Sequence, residues 1–279
     1  MAFGGETAES YYDEGLTASI HGDLASAASH FEKAIHMDNS LGPAYHQLGK
    51  CYTRLGRSKA AVQLLREVVR KRPKLVGALV DLGHAYLSSR ELNLARESFG
   101  QALAMSPGNA KAKLGLAQAD FDEGNWAGAM GHAQQVLNES DSGFAVLYMV
   151  GRAAKLAGKA ELSGKMLEKA DKKLEQYLEV NSDKPEGHFL RGELAFFRES
   201  FAAALDHFRE SERNTKEDRN YAAYGTSFSL ADVLAKQGLS LQRLGQPESA
   251  RAIGNRILGI DSEHAIGNAL VDSGAAGES

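Results

Sequence analysis

The sequence has few of the residues and motifs that redox, disulfide or metal chemistry requires. Its single cysteine, Cys51, has no partner for an internal disulfide and lies within a helical pattern, so we expect a buried, inert thiol. The nine histidines form no HExxH or HxxH pair, and no CxxC motif is present. We therefore expect neither a metal nor any other cofactor.

Motifs for phosphate binding and acyl transfer are also absent. No GxxxxGK[ST] or GxGxxG sequence is found, and no serine lies in a GxSxG elbow. The 29 glycines are better explained by turns and by close helix crossings. An enzyme is not expected.

Long apolar runs are missing too, since no stretch reaches the length of about 18 residues that indicates a membrane-spanning helix. The start of the chain, MAFGGETAES, has neither a basic nor an apolar signal region. A net charge of −4 does not favour nucleic acid as a partner. We expect a cytoplasmic protein without a membrane span.

Prolines are scarce, and alternating β-branched runs are few, so helices are expected and strands are not.

A repeated spacing is the strongest pattern present. Each of Leu48, Gly49, Tyr52, Gly56, Ala61, Leu65, Val68 and Pro73 has a counterpart whose number is higher by 34, namely Leu82, Gly83, Tyr86, Arg90, Ala95, Phe99, Ala102 and Pro107. Such a period indicates a repeat array. Each repeat has the apolar spacing of two amphipathic helices, and small residues such as Gly49 and Ala61 are expected where the helices cross.

This pattern resembles the tetratricopeptide repeat. The resemblance implies an all-α fold, an α-solenoid in which about seven antiparallel helix pairs form a right-handed superhelix. It also implies a concave groove lined by the first helix of each pair, where a segment of another protein binds.

Counting in steps of 34 divides the chain into repeats. After a lead over 1–7, the solenoid spans 8–264 in repeats 8–41, 42–75, 76–109, 110–143, 144–184, 185–230 and 231–264, followed by a cap remnant and disordered tail over 265–279. Two insertions interrupt the period. The one within 171–184 predicts a second helix about two turns longer than usual, ended at 181–182. The one at 219–230 predicts a helical extension with a kink or loop at 225–227.

The resemblance also indicates which side chains face the groove: the second, fifth, ninth and twelfth of each repeat. The candidate partner-binding residues are Tyr12, His46, Lys50, His84, Leu87, Gln118, Phe121, Tyr148, Arg152, Lys155, Phe189, Glu193 and Phe196. They mix apolar side chains with charges, a combination typical of peptide grooves.

Charge is unevenly distributed between the first two repeats. Repeat 42–75 carries nine Lys or Arg against one acid, and repeat 8–41 carries six acids against one Lys. Two interpretations remain open: a structural one, with cations at a helix C-terminus, and attraction between copies of the chain.

The expected function is a protein-interaction adaptor or assembly scaffold. The alternatives are a self-assembling homo-oligomer and a secretion or assembly chaperone.

Overall fold

A computed structural model describes residues 7–139, 143–217, 221–223 and 226–275. The helices are α1 (Ala8–Ile20), α2 (Leu24–Met37), α3 (Gly42–Arg54), α4 (Ser58–Lys71), α5 (Val76–Ser88), α6 (Leu92–Met105), α7 (Ala110–Glu123), α8 (Trp126–Glu139), α9 (Phe144–Leu156), α10 (Ala160–Val180), α11 (Pro185–Phe197), α12 (Phe201–Asn214), α13 (Leu230–Arg243), α14 (Pro247–Ile260) and α15 (Ala265–Ala275). The strands are β1 (Tyr221–Ala223) and β2 (Thr226–Phe228). Over the described residues the chain is an all-α solenoid apart from this one hairpin, and its contacts group it into two compact units, 1–166 and 167–279.

In the first compact unit, α1 to α9 form consecutive helix pairs that pack on their neighbours in chain order. The N-terminus of α1 is fixed by a capping box, in which the Thr7 hydroxyl accepts from the Ser10 backbone and the Ser10 hydroxyl accepts from the Thr7 backbone. Cys51 is buried, and burial raises the pKa of its thiol. The buried, inert thiol expected from the sequence is consistent with this environment.

Four of the helix pairs pack a glycine of the first helix against a large side chain of the second. A Cβ atom on Gly83 would lie 2.5 Å from the ring of Phe99, and one on Gly49 would lie 2.7 Å from Leu65 Cγ. Gly15 with Phe31 and Gly192 with Phe208 repeat the arrangement at the same spacing in the sequence. The large side chains are fully buried, so the absence of a side chain on the glycine is what permits the helices to approach.

The turn within each pair has a second fixed requirement. The residue fifteenth in each repeat has a positive φ: five are glycines, including Gly56 at +72°, and the other two are Arg90 at +61° and Glu199 at +65°. Because glycine adopts this conformation without a steric penalty and other L-residues do not, Arg90 and Glu199 are locally strained. The exception that Arg90 makes to the sequence pattern therefore has an energetic cost.

In the second compact unit, the two insertions behave differently. Helix α10 has 21 residues where second helices such as α4 and α6 have 14, and it ends at Val180, so the predicted long helix is confirmed. The predicted helical extension at 219–230 is wrong: β1 and β2 pair antiparallel, with Tyr221 opposite Phe228. Gly225 of the predicted kink lies outside the described residues.

Local capping explains part of this error. The Ser229 hydroxyl accepts from the Asp232 backbone, and the Asp232 carboxylate accepts from the Ser229 backbone. This capping box begins α13 at Leu230, so a helix cannot continue through Ser229 from the preceding residues.

The end of the described chain also differs from expectation. Helix α15 spans Ala265–Ala275, so most of the stretch 265–279, where the sequence predicts a cap remnant and a disordered tail, is helical. Residues 276–279 lie outside the described residues. Leu270 of α15 is buried against Gly238 of α13. In the pair α13 and α14, Gly254 of α14 stands where other second helices have a large side chain. Leu270 of α15 fills the space beside Gly238 instead.

We predict that Gly83→Val destabilises the protein by about 1–3 kcal/mol, because the new side chain overlaps Phe99. The matched control is Gly100→Val on α6, where an added Cβ meets no atom within 4 Å. Thermal unfolding followed by circular dichroism compares the two. Equal melting temperatures would show that the helix crossing tolerates a larger residue.

We predict that Arg90→Gly stabilises the protein by about 1 kcal/mol, because glycine removes the strain of the positive φ. Arg57→Gly makes the same chemical change at a residue with φ of −78° and should give no gain. Urea unfolding measures both. A gain of equal size at both positions would assign the effect to charge and not to the backbone.

Candidate functional site: the first helices of the repeat

The candidate residues of the first compact unit lie on adjacent first helices. Helix α3 contacts α5, α5 contacts α7 and α7 contacts α9, although a second helix separates each pair of them in the chain. The candidate side chains at equivalent positions thus lie on neighbouring helices, and we call them the row. The row contains His46, Lys50, His84, Leu87, Gln118, Phe121, Tyr148, Arg152 and Lys155.

Arg152 and two aromatic rings form a compact cluster at α7 and α9. The guanidinium carbon of Arg152 lies 4.3 Å from the ring centroid of Phe121 and 5.2 Å from that of Tyr148. Tyr148 stacks in turn on Phe144 at 5.2 Å. Each cation–π contact contributes about 0.5–2 kcal/mol, so the rings restrain the guanidinium. We call Phe121, Tyr148 and Arg152 the arginine cluster.

The rings of the arginine cluster are supported from the helix that follows. Trp126, the first residue of α8, is half-buried and meets Phe121 edge-on with 5.2 Å between the ring centroids. The indole thus supports the cluster from the side. This contact gives Trp126 a structural role.

Two histidines in the middle of the row have different environments. His46 Nε2 lies 2.8 Å from Asp81 Oδ2, which links α3 to α5. The ring of His84 lies edge-on to Phe99 at 5.2 Å, and burial lowers the pKa of His84, with Lys111 adding to the decrease and Asp81 opposing it. A neutral His84 can donate one hydrogen bond and accept another.

The remaining candidates of the first compact unit range from packed to exposed. Tyr12 packs against Phe31, and Leu87 packs against the buried cluster around Phe99. Gln118 donates a hydrogen bond to Asp122 at 2.7 Å. Lys50 is half-buried, whereas Lys155 is exposed. Of the nine residues in the row, only Lys155 is exposed.

In the second compact unit, the three candidate residues on α11 all contact other parts of the chain. Phe189 is only 6% exposed and stacks on Phe228 of β2. Glu193 forms an ion pair with Lys236 of α13 at 2.8 Å. Phe196 packs edge-on against Phe201 at 5.2 Å. The sequence pattern identified Phe189 but gave no indication of the hairpin that covers it.

The basic surface that the sequence indicated lies on α4. Lys59, Arg66, Arg70 and Lys71 are exposed, and Glu67 is paired with Arg70 at 2.8 Å. The hydrogen bond from Arg70 lowers the pKa of Glu67, and the same hydrogen bond raises the pKa of Arg70. Most of the charge on this helix is thus positive and faces solvent.

Buried charge elsewhere has structural partners. Asp120, which is buried on α7, accepts from Arg96 of α6 at 2.8 Å, and Asp171 of α10 accepts from Arg191 and Arg198 at 3.0 Å each.

Over the described residues, no group of three or more His, Cys, Asp or Glu side chains could hold a metal ion. Among the described helices, none has the length and apolar character needed to cross a membrane.

The sequence model of the tetratricopeptide repeat family matches residues 20–82 and 86–150. Two curated relatives are DnaJ homolog subfamily C member 3 of Gallus gallus, 34% identical over 33% of this chain and 18% of the relative, and its Homo sapiens counterpart, 27% identical over 39% and 22%. The chain thus spans about a fifth of the length of these relatives.

Solved structures show a similar fold. A tetratricopeptide repeat protein from Parabacteroides merdae is 14% identical with a TM-score of 0.64, covering 97% of this chain and all of the other. The Cut9–Hcn1 heterotetramer of the APC/C gives 15% identity and a TM-score of 0.62 over 95% of this chain and 48% of the other. At these identities the likeness concerns the fold alone. Residues 20–82 and 86–150 are therefore tetratricopeptide repeats, and the described chain has the fold of an α-solenoid.

Proposed function

We propose that the protein is a non-catalytic scaffold that binds a peptide segment of a partner protein along α3, α5, α7 and α9. The repeat fold supports a role in protein interaction. The observation that carries the finer proposal is the arginine cluster, in which two rings restrain a guanidinium at a position that the repeat assigns to the groove. A restrained side chain loses less conformational entropy when it binds a ligand.

The charges of the row favour an acidic segment. Lys50, Lys111, Arg152 and Lys155 supply positive charge at positions of α3, α7 and α9 that the repeat pattern assigns to the groove. The acidic groups nearby are engaged, since Asp81 is paired with His46 and Asp122 accepts from Gln118. A guanidinium forms two parallel hydrogen bonds with a carboxylate, which fixes orientation as well as contributing energy. The partner segment is thus expected to carry Asp, Glu or a terminal carboxylate beside apolar residues.

A second candidate function is self-assembly, and the exposed charges of the first two repeats support it. Glu9 and Asp13 on α1 are exposed, and so are the basic residues of α4. Surfaces of opposite sign on one chain can attract two copies of it.

The chaperone alternative stays a prediction, because the matching DnaJ relatives share only a small part of their length with this chain.

Binding of matched peptide sets tests the peptide-binding proposal. One set carries Asp or Glu between Leu and Phe residues, and the second replaces each acid with Asn or Gln. We expect the acidic set to bind more tightly and Arg152→Gln to weaken that binding by about tenfold, equivalent to about 1.4 kcal/mol, because the charge-assisted hydrogen bonds are lost. Isothermal titration calorimetry measures both.

The control variant is Arg66→Gln, which removes an exposed positive charge from the second helix α4. It should bind the acidic peptides like the wild type. Equal binding of the two peptide sets would contradict the preference for an acidic segment. Equal weakening by Arg66→Gln and Arg152→Gln would reduce the effect to net charge and contradict a defined site.

Light scattering at low and high salt tests self-assembly. Attraction between exposed charges is screened within about 10 Å at 0.1 M salt. We therefore expect oligomers at low salt that dissociate as salt rises. A monomer under both conditions would contradict this second function.

A further inference from the structure

The hairpin of the second compact unit lies on the helices that the repeat uses for binding. Strand β1 contacts α11, and strand β2 contacts α13. Both helices are the first of their pairs. The two strands of the insertion therefore cover the surface where the repeat pattern expects a partner.

Phe228 is the side chain that anchors the hairpin to this surface. It is 1% exposed, and its ring stacks on Phe189 of α11 with 4.1 Å between centroids and 4° between planes. Tyr221 stacks on Phe228 at 5.6 Å, and Phe189 contacts Phe208 at 5.8 Å. Complete burial of a phenylalanine contributes about 1.5–3 kcal/mol, so Phe228 is a substantial anchor for so short a hairpin.

Phe189 occupies the same position in its repeat as His46 and Tyr148 in theirs, the fifth residue of the repeat. In the first compact unit these side chains belong to the row described above. In the second, the equivalent side chain is covered by an extended segment carrying an aromatic residue. The hairpin thus has the features of a bound peptide: extended backbone, a buried aromatic anchor and a short contact with two first helices.

We propose that Phe189 on α11 forms a binding site for the aromatic side chain of an extended segment, and that Phe228 of the same chain occupies it. This site is separate from the peptide site proposed for α3 to α9 and stands independently of it. Both ends of the hairpin are held close by the chain. The Lys216 backbone N–H donates to Tyr221 Oη at 3.0 Å, and the capping box of α13 follows Phe228 directly.

Covalent linkage makes the internal occupant hard to displace. A segment attached through a short linker has an effective concentration of about 1 mM, so a free peptide at micromolar concentration competes poorly. The site should consequently accept an external aromatic peptide only when Phe228 is removed. Wild type and variants that lack Phe228 should therefore differ in their affinity for such a peptide.

The test uses a fluorescein-labelled synthetic peptide of residues 219–230, added to the full-length chain and followed by fluorescence anisotropy. We expect binding to Phe228→Ala that is at least about tenfold tighter than to wild type. Adding Phe189→Ala to this variant should abolish the gain. A peptide with alanine in place of its phenylalanine should bind neither protein.

A second variant replaces residues 221–228 with a Gly/Ser linker of equal length, and circular dichroism checks the helix content of both variants. Tighter binding to either folded variant supports the proposal. No binding to folded variants, or equal binding to wild type, would overturn it. Loss of cooperative unfolding in both variants would also overturn it, because the hairpin would then be part of the core and not the occupant of a site.

Discussion

The structure depends on one close contact repeated along the chain, between a glycine on the first helix of a pair and a large side chain on the second. Gly83 against Phe99 and Gly192 against Phe208 show it most clearly. The absence of a Cβ brings the two backbones together, and the ring then fills the space that remains. Because protein interiors are packed at nearly crystalline density, neither partner can change size without the other.

The last helix pair shows that the constraint is spatial and not tied to one sequence position. Gly254 stands where five of the other pairs have Phe or Leu and α8 has Ala133, and Leu270 of α15 packs against Gly238. The chain therefore satisfies the same packing requirement with a residue from the following helix. This also explains why residues 272–275 continue a helix, since α15 is ordered by the contact that it completes.

The two compact units differ in the side chains that their first helices carry outside these buried positions. In the first compact unit these include a restrained guanidinium, a His–Asp pair and several cations. In the second, the equivalent surface carries an ion pair and an aromatic stack made by the chain itself. One type of scaffold thus presents two surfaces of different chemistry, and the proposals for each depend on that difference.

The repeat period by itself determined the helix pairs, the turn positions and the burial of Cys51, and the interruption of the period within 171–184 determined the length of α10. Each follows from the local spacing of apolar and small residues. It also placed Tyr148 and Arg152 on one helix, but only folding brought Phe121 of the preceding pair beside them. The hairpin could not be predicted, since residues 221–228 have no repeat pattern. Phe228 is ordered by Phe189, which lies on a helix far earlier in the chain. Local sequence fixes a helix through its own hydrogen bonds, whereas a short pair of strands takes its stability from the surface on which it packs.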